Sequence, residues 1–308
     1  MKNRLLLPNS NASVFWVSVC LVIIYFVWAS TYVGIAFMVE EIPPHTGSGF
    51  RFITAGLLIS IVLLVTKGPS ALFVNFKQIR NAMFIGFILI GLATPLIAVA
   101  SQYIPSGLIA LLAAMTPVFV VILRFLFGDK PSLKTILGIL LGISGVAFLV
   151  RPSAGQNWYT LIPIISTVLW AVGSFWAQKI DLPKSPLTTA AWETMFGGLC
   201  AIGIGVLRGE KTSQFFEPHE TQTWIAFIYI SLMGAIAYSA YAYLLDNTPI
   251  SLVATYALVN PVVAVLLGSL LRNEIITLTI LVGGLIVVLG IALVVLGEKR
   301  KELIRPET

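Results

Sequence analysis

The sequence predicts an all-α integral membrane protein of ten transmembrane helices, arranged as two inverted five-helix repeats with both termini cytoplasmic. Three observations carry this. Of 308 residues, 58% are hydrophobic and 10% charged, whereas a soluble globular chain carries about a quarter charged residues. Apolar stretches of about 18 to 24 residues recur along the chain, each long enough at 1.5 Å per residue to cross ~30 Å of hydrocarbon. The chain also repeats itself. Trp28-Ala29, Pro44-x-Thr46 and Gly56-Leu57 recur at constant offset as Trp170-Ala171, Pro186-x-Thr188 and Gly198-Leu199. Pro105, Leu108, Ala113 and Pro117-Val118 recur as Pro249, Leu252, Ala257 and Pro261-Val262. The halves divide as 1–152 and 153–308.

In order, the first half supplies spans at 15–37, 46–66, 82–102, 104–127 and 133–150. The first is too long for a signal peptide and has no small-x-small cleavage site after it, so it is read as a retained helix. The third and fourth are separated by little more than Tyr103 before Pro105. The second half supplies 157–178, 188–207, 223–245, 249–271 and 276–297. The longest hydrophilic stretch, Arg208 to Thr221, contains Gly209 and Pro218 and has the length of a loop. Asn11-Ala-Ser13 matches the glycosylation pattern on the predicted inner side and is read as chance.

Orientation follows from the cations. With the amino terminus inside, Lys2, Arg4, Lys67, Lys77, Arg80, Arg124, Lys130, Lys134, Lys179, Lys184, Lys299, Arg300, Lys301 and Arg305 fall inside. Arg151, Arg208, Lys211 and Arg272 fall outside, and Arg51 lies within a span. Five crossings per half, an odd number, force the second half to enter from the opposite face. An inverted repeat places its pseudo-twofold axis in the membrane plane and a shared cavity near mid-depth. Movement of a solute is the function this organisation points to.

Other classes are disfavoured. The net charge of +6 is spread over short loops and ends without a basic stripe bearing aromatics, so no nucleic acid is expected. Cys20 and Cys200 lie within apolar spans and read as packing residues. No phosphate-cradling Gly-Lys-Ser/Thr sequence occurs, and His45 and His219 belong to no metal motif. Glu193 has no second carboxylate at depth, so a catalytic site is not expected, and neither is a cofactor.

Candidate binding residues cluster in the spans. A helical proline leaves the carbonyl four residues earlier without its partner, so Pro117 and Pro261 free the carbonyls of Ala113 and Ala257 at bilayer depth. Such oxygens find internal partners or line a polar cavity. Thr116 and Asn260 precede these prolines, and they either bind solute or satisfy the kinks and bridge helices. Thr94 with Pro95 repeats the pattern, the freed carbonyl being that of Gly91. Trp28 and Thr31 in the first span, and Trp170 and Ser174 in the sixth, cluster in corresponding places. Tyr238, Tyr241 and Tyr256 carry hydroxyls that lipid disfavours and are assigned to the bundle interior. Arg51 and Glu193 are repeat counterparts, each about five residues into its span, and are read as gating or coupling groups or as helix-end anchors. Glu193 is the candidate for proton coupling. Gly138-x-x-x-Gly142, with Gly145, Gly283, Gly284 and Gly290, marks close helix packing, within one chain or between two.

The run Trp28-Ala-Ser-Thr-Tyr, followed by Pro43-Pro44 and Arg51-Phe52, resembles EamA-type members of the drug/metabolite transporter superfamily. So does Pro105-Ser-Gly-Leu-Ile-Ala-Leu-Leu-Ala-Ala-Met-Thr-Pro117 with its partner ending Asn260-Pro261. The resemblance covers nearly the whole chain. It implies a multi-pass protein of the bacterial inner membrane that exports amino acids, other small metabolites or drugs through a cavity between the halves. It also implies acidic residues after the fourth and ninth helices, where Asp129 and Glu274 stand with a one-residue shift. Asn260 replaces a Glu common among relatives. The expected solute is neutral or zwitterionic and partly apolar. The rival reading is a membrane receptor that binds a ligand without moving it.

Overall fold

The structure, a computed structural model, describes residues 13–150, 158–248, 250–253 and 255–304. Among them it is all-helical, with ten main helices: α1 Val14–Met38, α2 Pro44–Lys67, α3 Phe76–Ala100, α4 Ser106–Leu126, α5 Leu133–Leu149, α6 Trp158–Ala177, α7 Pro186–Leu207, α8 Thr221–Asn247, α9 Tyr256–Arg272 and α10 Leu278–Ile304. Eight are long and apolar enough to cross a membrane. The other two, α5 and α9, are shorter apolar helices of 17 residues. Asn11 and Arg151 lie outside the described residues.

Helix starts depart most from the expected spans, because capping chemistry begins a helix before its apolar run does. Pro44 and Pro186 occupy first-turn positions of α2 and α7, where a missing N–H costs nothing. Arg51 and Glu193 are therefore seven residues in, on the order of 10 Å of helix, and not about five. Asn75 begins α3, its side chain accepting a hydrogen bond from the Lys77 N–H at 2.9 Å. The charged turn with Lys77 and Arg80 is thus helical, although its polarity excluded it from the predicted span.

Three helices are irregular at mid-depth. In α3, Phe87–Ala93 forms a π-helical segment, and the Thr94 hydroxyl donates to the Leu89 carbonyl at 2.9 Å. Pro95 follows at once, where its missing N–H breaks the α register. Helix α4 is two segments, Ser106–Ala113 and Thr116–Leu126. The expected ninth span is likewise divided, a single turn Ile250–Val253 preceding α9. Pro261 then lies inside a continuous α9, unlike Pro117, which stands in the first turn of its segment.

Glycine sets the seams. A Cβ on Gly290 would stand 2.5 Å from the Gly142 nitrogen, and one on Gly138 would stand 2.7 Å from the Gly290 carbonyl oxygen. The glycine stripes of α5 and α10 therefore pack against each other within one chain. A Cβ on Gly49 would meet the Gly198 carbonyl oxygen at 2.7 Å, and the reverse holds at the same distance, which brings α2 and α7 into backbone contact. Besides these pairs, α4 packs against α9, α1 against α8 and α9, and α6 against α3 and α4.

Polar contacts sort the loops into two groups, one at each end of the bundle. At one end Thr188 donates to the Ala71 carbonyl, Gln78 to Asp181, and Arg124 to Asp129 and Glu298. At the other, Arg272 pairs with Glu40 at 2.6 Å and Glu41 accepts from the Glu220 N–H. The α7–α8 loop folds back at this second end. Its Phe215 is buried and stacks on Phe50 with ring centroids 4.2 Å apart.

Two glutamates close helix starts at the same end. Glu210, just beyond α7, accepts the His45 and Thr46 N–H groups at 3.1 and 2.8 Å, the Thr46 hydroxyl at 2.9 Å, and contacts His45 Nδ1 at 2.7 Å. Glu274, beyond α9, accepts the Ser106 and Gly107 N–H groups at 2.9 and 3.2 Å. Each carboxylate thus satisfies orphan donors and opposes the positive end of a helix dipole. Burial raises the Glu210 pKa, but the hydrogen bonds from His45 and Thr46 outweigh it and hold the group below its ordinary value of 4.5. The folded protein therefore releases this proton more readily than the unfolded chain. Its contribution to stability is complete above the ordinary carboxylate range and is lost as pH falls through the lowered folded-state value. Glu210→Gln is expected to cost about 1–2 kcal/mol at neutral pH and to flatten the acid limb of the thermal-melting profile. An unchanged acid limb would exclude this role for Glu210.

Candidate functional site

Thr94 and Ile97 of α3 and the break in α4 meet residues of α1, α2, α6, α7, α8 and α9 around a central cavity of about 190 Å³. Seven of the sequence-predicted binding residues stand on its wall: Trp28, Thr31, Thr94, Thr116, Trp170, Tyr256 and Asn260. Arg51 joins them, so the group read as a gate or anchor faces the cavity itself.

The two tryptophans lie at equivalent places in α1 and α6. Trp28 is held by Tyr256 and Tyr241, with ring centroids 4.8 and 5.2 Å away. Trp170 leans on the buried cluster of Phe52, Ile85, Leu89 and Ile90. Both alanines whose carbonyls the prolines free, Ala113 and Ala257, are on the wall. The Thr116 hydroxyl donates to the Ala113 carbonyl at 2.8 Å, so this kink is satisfied from within its own helix. Asn260 is buried, and its amide nitrogen, oriented by two facing acceptors, donates to the carbonyls of Tyr256 at 3.2 Å and Tyr25 at 3.0 Å. It thereby ties α9 to α1 while lining the cavity. Thr31 donates to the Trp28 carbonyl at 2.7 Å.

Three predicted residues are placed elsewhere. Ser174 lies one turn beyond Trp170 and does not line the cavity. Tyr241 stands behind Trp28 and Tyr256, supporting their rings. Glu193 is buried but off the wall. Its neighbour Thr194 faces the cavity, and one residue is about 100° of helix rotation. That turn puts the Glu193 backbone under α3, where a Cβ on Gly86 would meet its carbonyl oxygen at 2.3 Å. The Tyr238 side chain lies outside the described residues.

Sequence reasoning missed several wall residues. Ser166 donates to the Ala93 carbonyl at 2.8 Å and Thr167 to the Pro163 carbonyl at 2.6 Å, both from α6. They sit one helical turn before Trp170 and Ala171, a spacing that placed them on the same face. Gly234 and Ile230 of α8 complete the wall, and neither carries any chemical signal. The acidic pair implied by the resemblance also diverges. Glu274 caps α4, whereas Asp129 pairs with Arg124, with Nε to Oδ2 at 2.9 Å.

Residues 15–151 and 157–296 match the EamA-like transporter family. The chain belongs to that family. The transporter is 32% identical over 304 residues to the uncharacterized inner membrane transporter YedA of Escherichia coli strain K12, covering 97% of this chain and 94% of that one. It is 27% identical to a WAT1-related chloroplastic protein of Arabidopsis thaliana, over 88% of this chain and 67% of that one. It is 22% identical to an uncharacterized transporter of Archaeoglobus fulgidus, over 91% and 98%. A solved crystal structure superposes with a TM-score of 0.63 at 17% identity, covering 94% of this chain and 100% of that one, which shows a shared fold. With its apolar helices, the transporter is a multi-pass protein of the inner membrane.

Proposed function

We propose that the protein is a secondary transporter that exports small metabolites, such as amino acids, or drugs by alternating access of the central cavity. The observation that carries this reading is the cavity itself, walled at mid-depth by helices of both halves and ringed by Trp28, Trp170, Tyr256, Asn260 and hydroxyls. Aromatic faces and satisfied hydroxyls suit a partly apolar solute. The two halves, 1–152 and 153–308, act as inverted repeats with both termini cytoplasmic. Helix pairing supports this, since α1 meets α8 and α9 just as α6 meets α3 and α4, the pattern a twofold relation would generate. The grouping of loop contacts at two ends, with Lys67, Lys77, Arg80, Arg124 and Lys179 belonging to one, supports a cytoplasmic assignment for that end. Export follows from the family resemblance.

Purified protein in proteoliposomes is expected to catalyse counterflow of metabolites that cells lacking it fail to release into the medium. A receptor would bind such solutes without flux, and that outcome would overturn the transport reading. Cysteines placed at the two chain ends should label from the same, cytoplasmic side. Labelling from opposite sides would overturn the inverted repeat.

A further inference from the structure

We propose that a cleft between the ends of α4 and α6 binds one anionic phospholipid, its phosphodiester held by Lys179 and Gln178 and its chains laid over the adjoining apolar surface. The site is separate from the central cavity, and its readout is lipid binding, which does not depend on transport.

A second cavity, of about 280 Å³, opens where α4 and α6 end, lined by Arg124, Phe127, Asp129, Phe175, Gln178 and Lys179. The rings of Phe127 and Phe175 lie 4.9 Å apart between centroids, and the Lys179 ammonium stands over them at 5.3 and 4.5 Å, where the ring quadrupoles hold it. The two cations of the wall differ in their partners. Arg124 is paired with Asp129 and with Glu298, at 2.9 Å each. Lys179 makes no ion pair among the described residues. At the other end of the bundle a cation also sits on an aromatic ring, Arg272 at 4.6 Å from the Phe37 centroid, but there Glu40 pairs with it at 2.6 Å. Lys179 is thus the cation with a contact to offer, and Gln178 beside it brings amide N–H donors. A phosphodiester oxygen would take a charge-assisted hydrogen bond from this pair. The carbonyls at the ends of α4 and α6 oppose an anion, so direct contact with Lys179, and not diffuse attraction, decides binding.

The surface beside the cavity makes the anion a lipid's. Phe125, Leu126, Phe127 and Trp176 are all exposed at these two helix ends, and both helices are long and apolar enough to cross a membrane. A soluble phosphate gains nothing from those side chains, whereas a phospholipid sets its headgroup at the level of the cavity and its chains along them. An ethanolamine headgroup carries its own ammonium beside the phosphate and competes with Lys179 for it, which favours an anionic headgroup such as phosphatidylglycerol.

The test titrates delipidated, detergent-purified protein with dioleoyl phosphatidylglycerol or dioleoyl phosphatidylethanolamine and counts bound lipid by native mass spectrometry. One phosphatidylglycerol should bind about fivefold or more tightly than phosphatidylethanolamine. Lys179→Gln should bring the two lipids to parity, and Lys179→Arg should keep the preference. Lys184→Gln, an exposed lysine of the same loop that is off the cavity wall, should keep it as well. Equal wild-type binding of the two lipids, a preference that survives Lys179→Gln, or the same loss in Lys184→Gln would overturn the proposal. Glycerol 3-phosphate, which has the phosphate without the chains, should fail to displace the lipid; displacement at matched concentration would assign the cavity to a soluble phosphate and overturn the lipid site. If Lys179→Gln does not fold, the wild-type preference with Lys179→Arg and Lys184→Gln decides.

Discussion

Gly197→Leu is expected to destabilise the folded protein severely, whereas Gly203→Leu on the same helix leaves it intact. A Cβ on Gly197 would stand 2.5 Å from the Gly86 carbonyl oxygen and 2.6 Å from the Ile90 Cβ, neither of which can move without shifting α3. A Cβ on Gly203 meets nothing within 4 Å. Overpacking typically costs 1–3 kcal/mol, and contact with backbone across a helix seam puts Gly197→Leu at about 3 kcal/mol or above, a large share of the ~5–15 kcal/mol that holds a native state. The damage spreads to the cavity, because α3 brings Thr94 and Ile97 to its wall. Size-exclusion monodispersity and thermal midpoint in detergent read the difference. Equal behaviour of the two variants would show that α3 and α7 do not pack so closely.

Trp28→Ala is expected to cut proteoliposome flux by about a hundredfold while sparing the fold. Its ring meets Tyr256 edge-on and Tyr241 at a tilt. Each such pair is worth roughly 0.5–1.5 kcal/mol of folded-state stability beyond area burial, a fraction of the ~5–15 kcal/mol that holds a native state, while a hundredfold loss of flux corresponds to about 3 kcal/mol of transition-state stabilisation. Trp28→Phe, which keeps a ring for both tyrosines, should recover most of the flux. Tyr241→Ala separates support from contact. Because Tyr241 stands behind Trp28 and off the wall, its loss should weaken flux without changing the preference among solutes. Flux unaltered in Trp28→Ala would remove the aromatic wall from the mechanism.

The spans were legible because a bilayer imposes length and apolarity on every crossing, whatever the helix later touches. The Pro117 and Pro261 kinks were legible for a similar reason: a missing N–H is a covalent fact, and it frees Ala113 and Ala257 wherever those residues end up. Rotation about each helix axis was less legible. Periodicity in an apolar helix is faint, since lipid-facing and buried positions are both hydrophobic. Hence Ser174 and Tyr241 were drawn toward the cavity, and Ser166, Thr167 and Gly234 were passed over. Arg51 shows the same limit from the other side, because a buried arginine near a helix end reads equally as a snorkelling anchor or as a cavity group until its neighbours are known.

By itself the sequence determined that this chain is a membrane bundle whose motifs recur along it and whose backbone is weakened at chosen prolines, since composition, motif recurrence and covalent structure are local properties. Tertiary structure alone decided which faces turn inward, that Glu210 and Glu274 close the starts of helices far away in the chain, and that Arg51 faces the cavity while Glu193 does not. Those outcomes depend on where glycines let backbones touch, and a contact between Gly86 and Gly197 or between Gly142 and Gly290 exists only once two distant helices share one space.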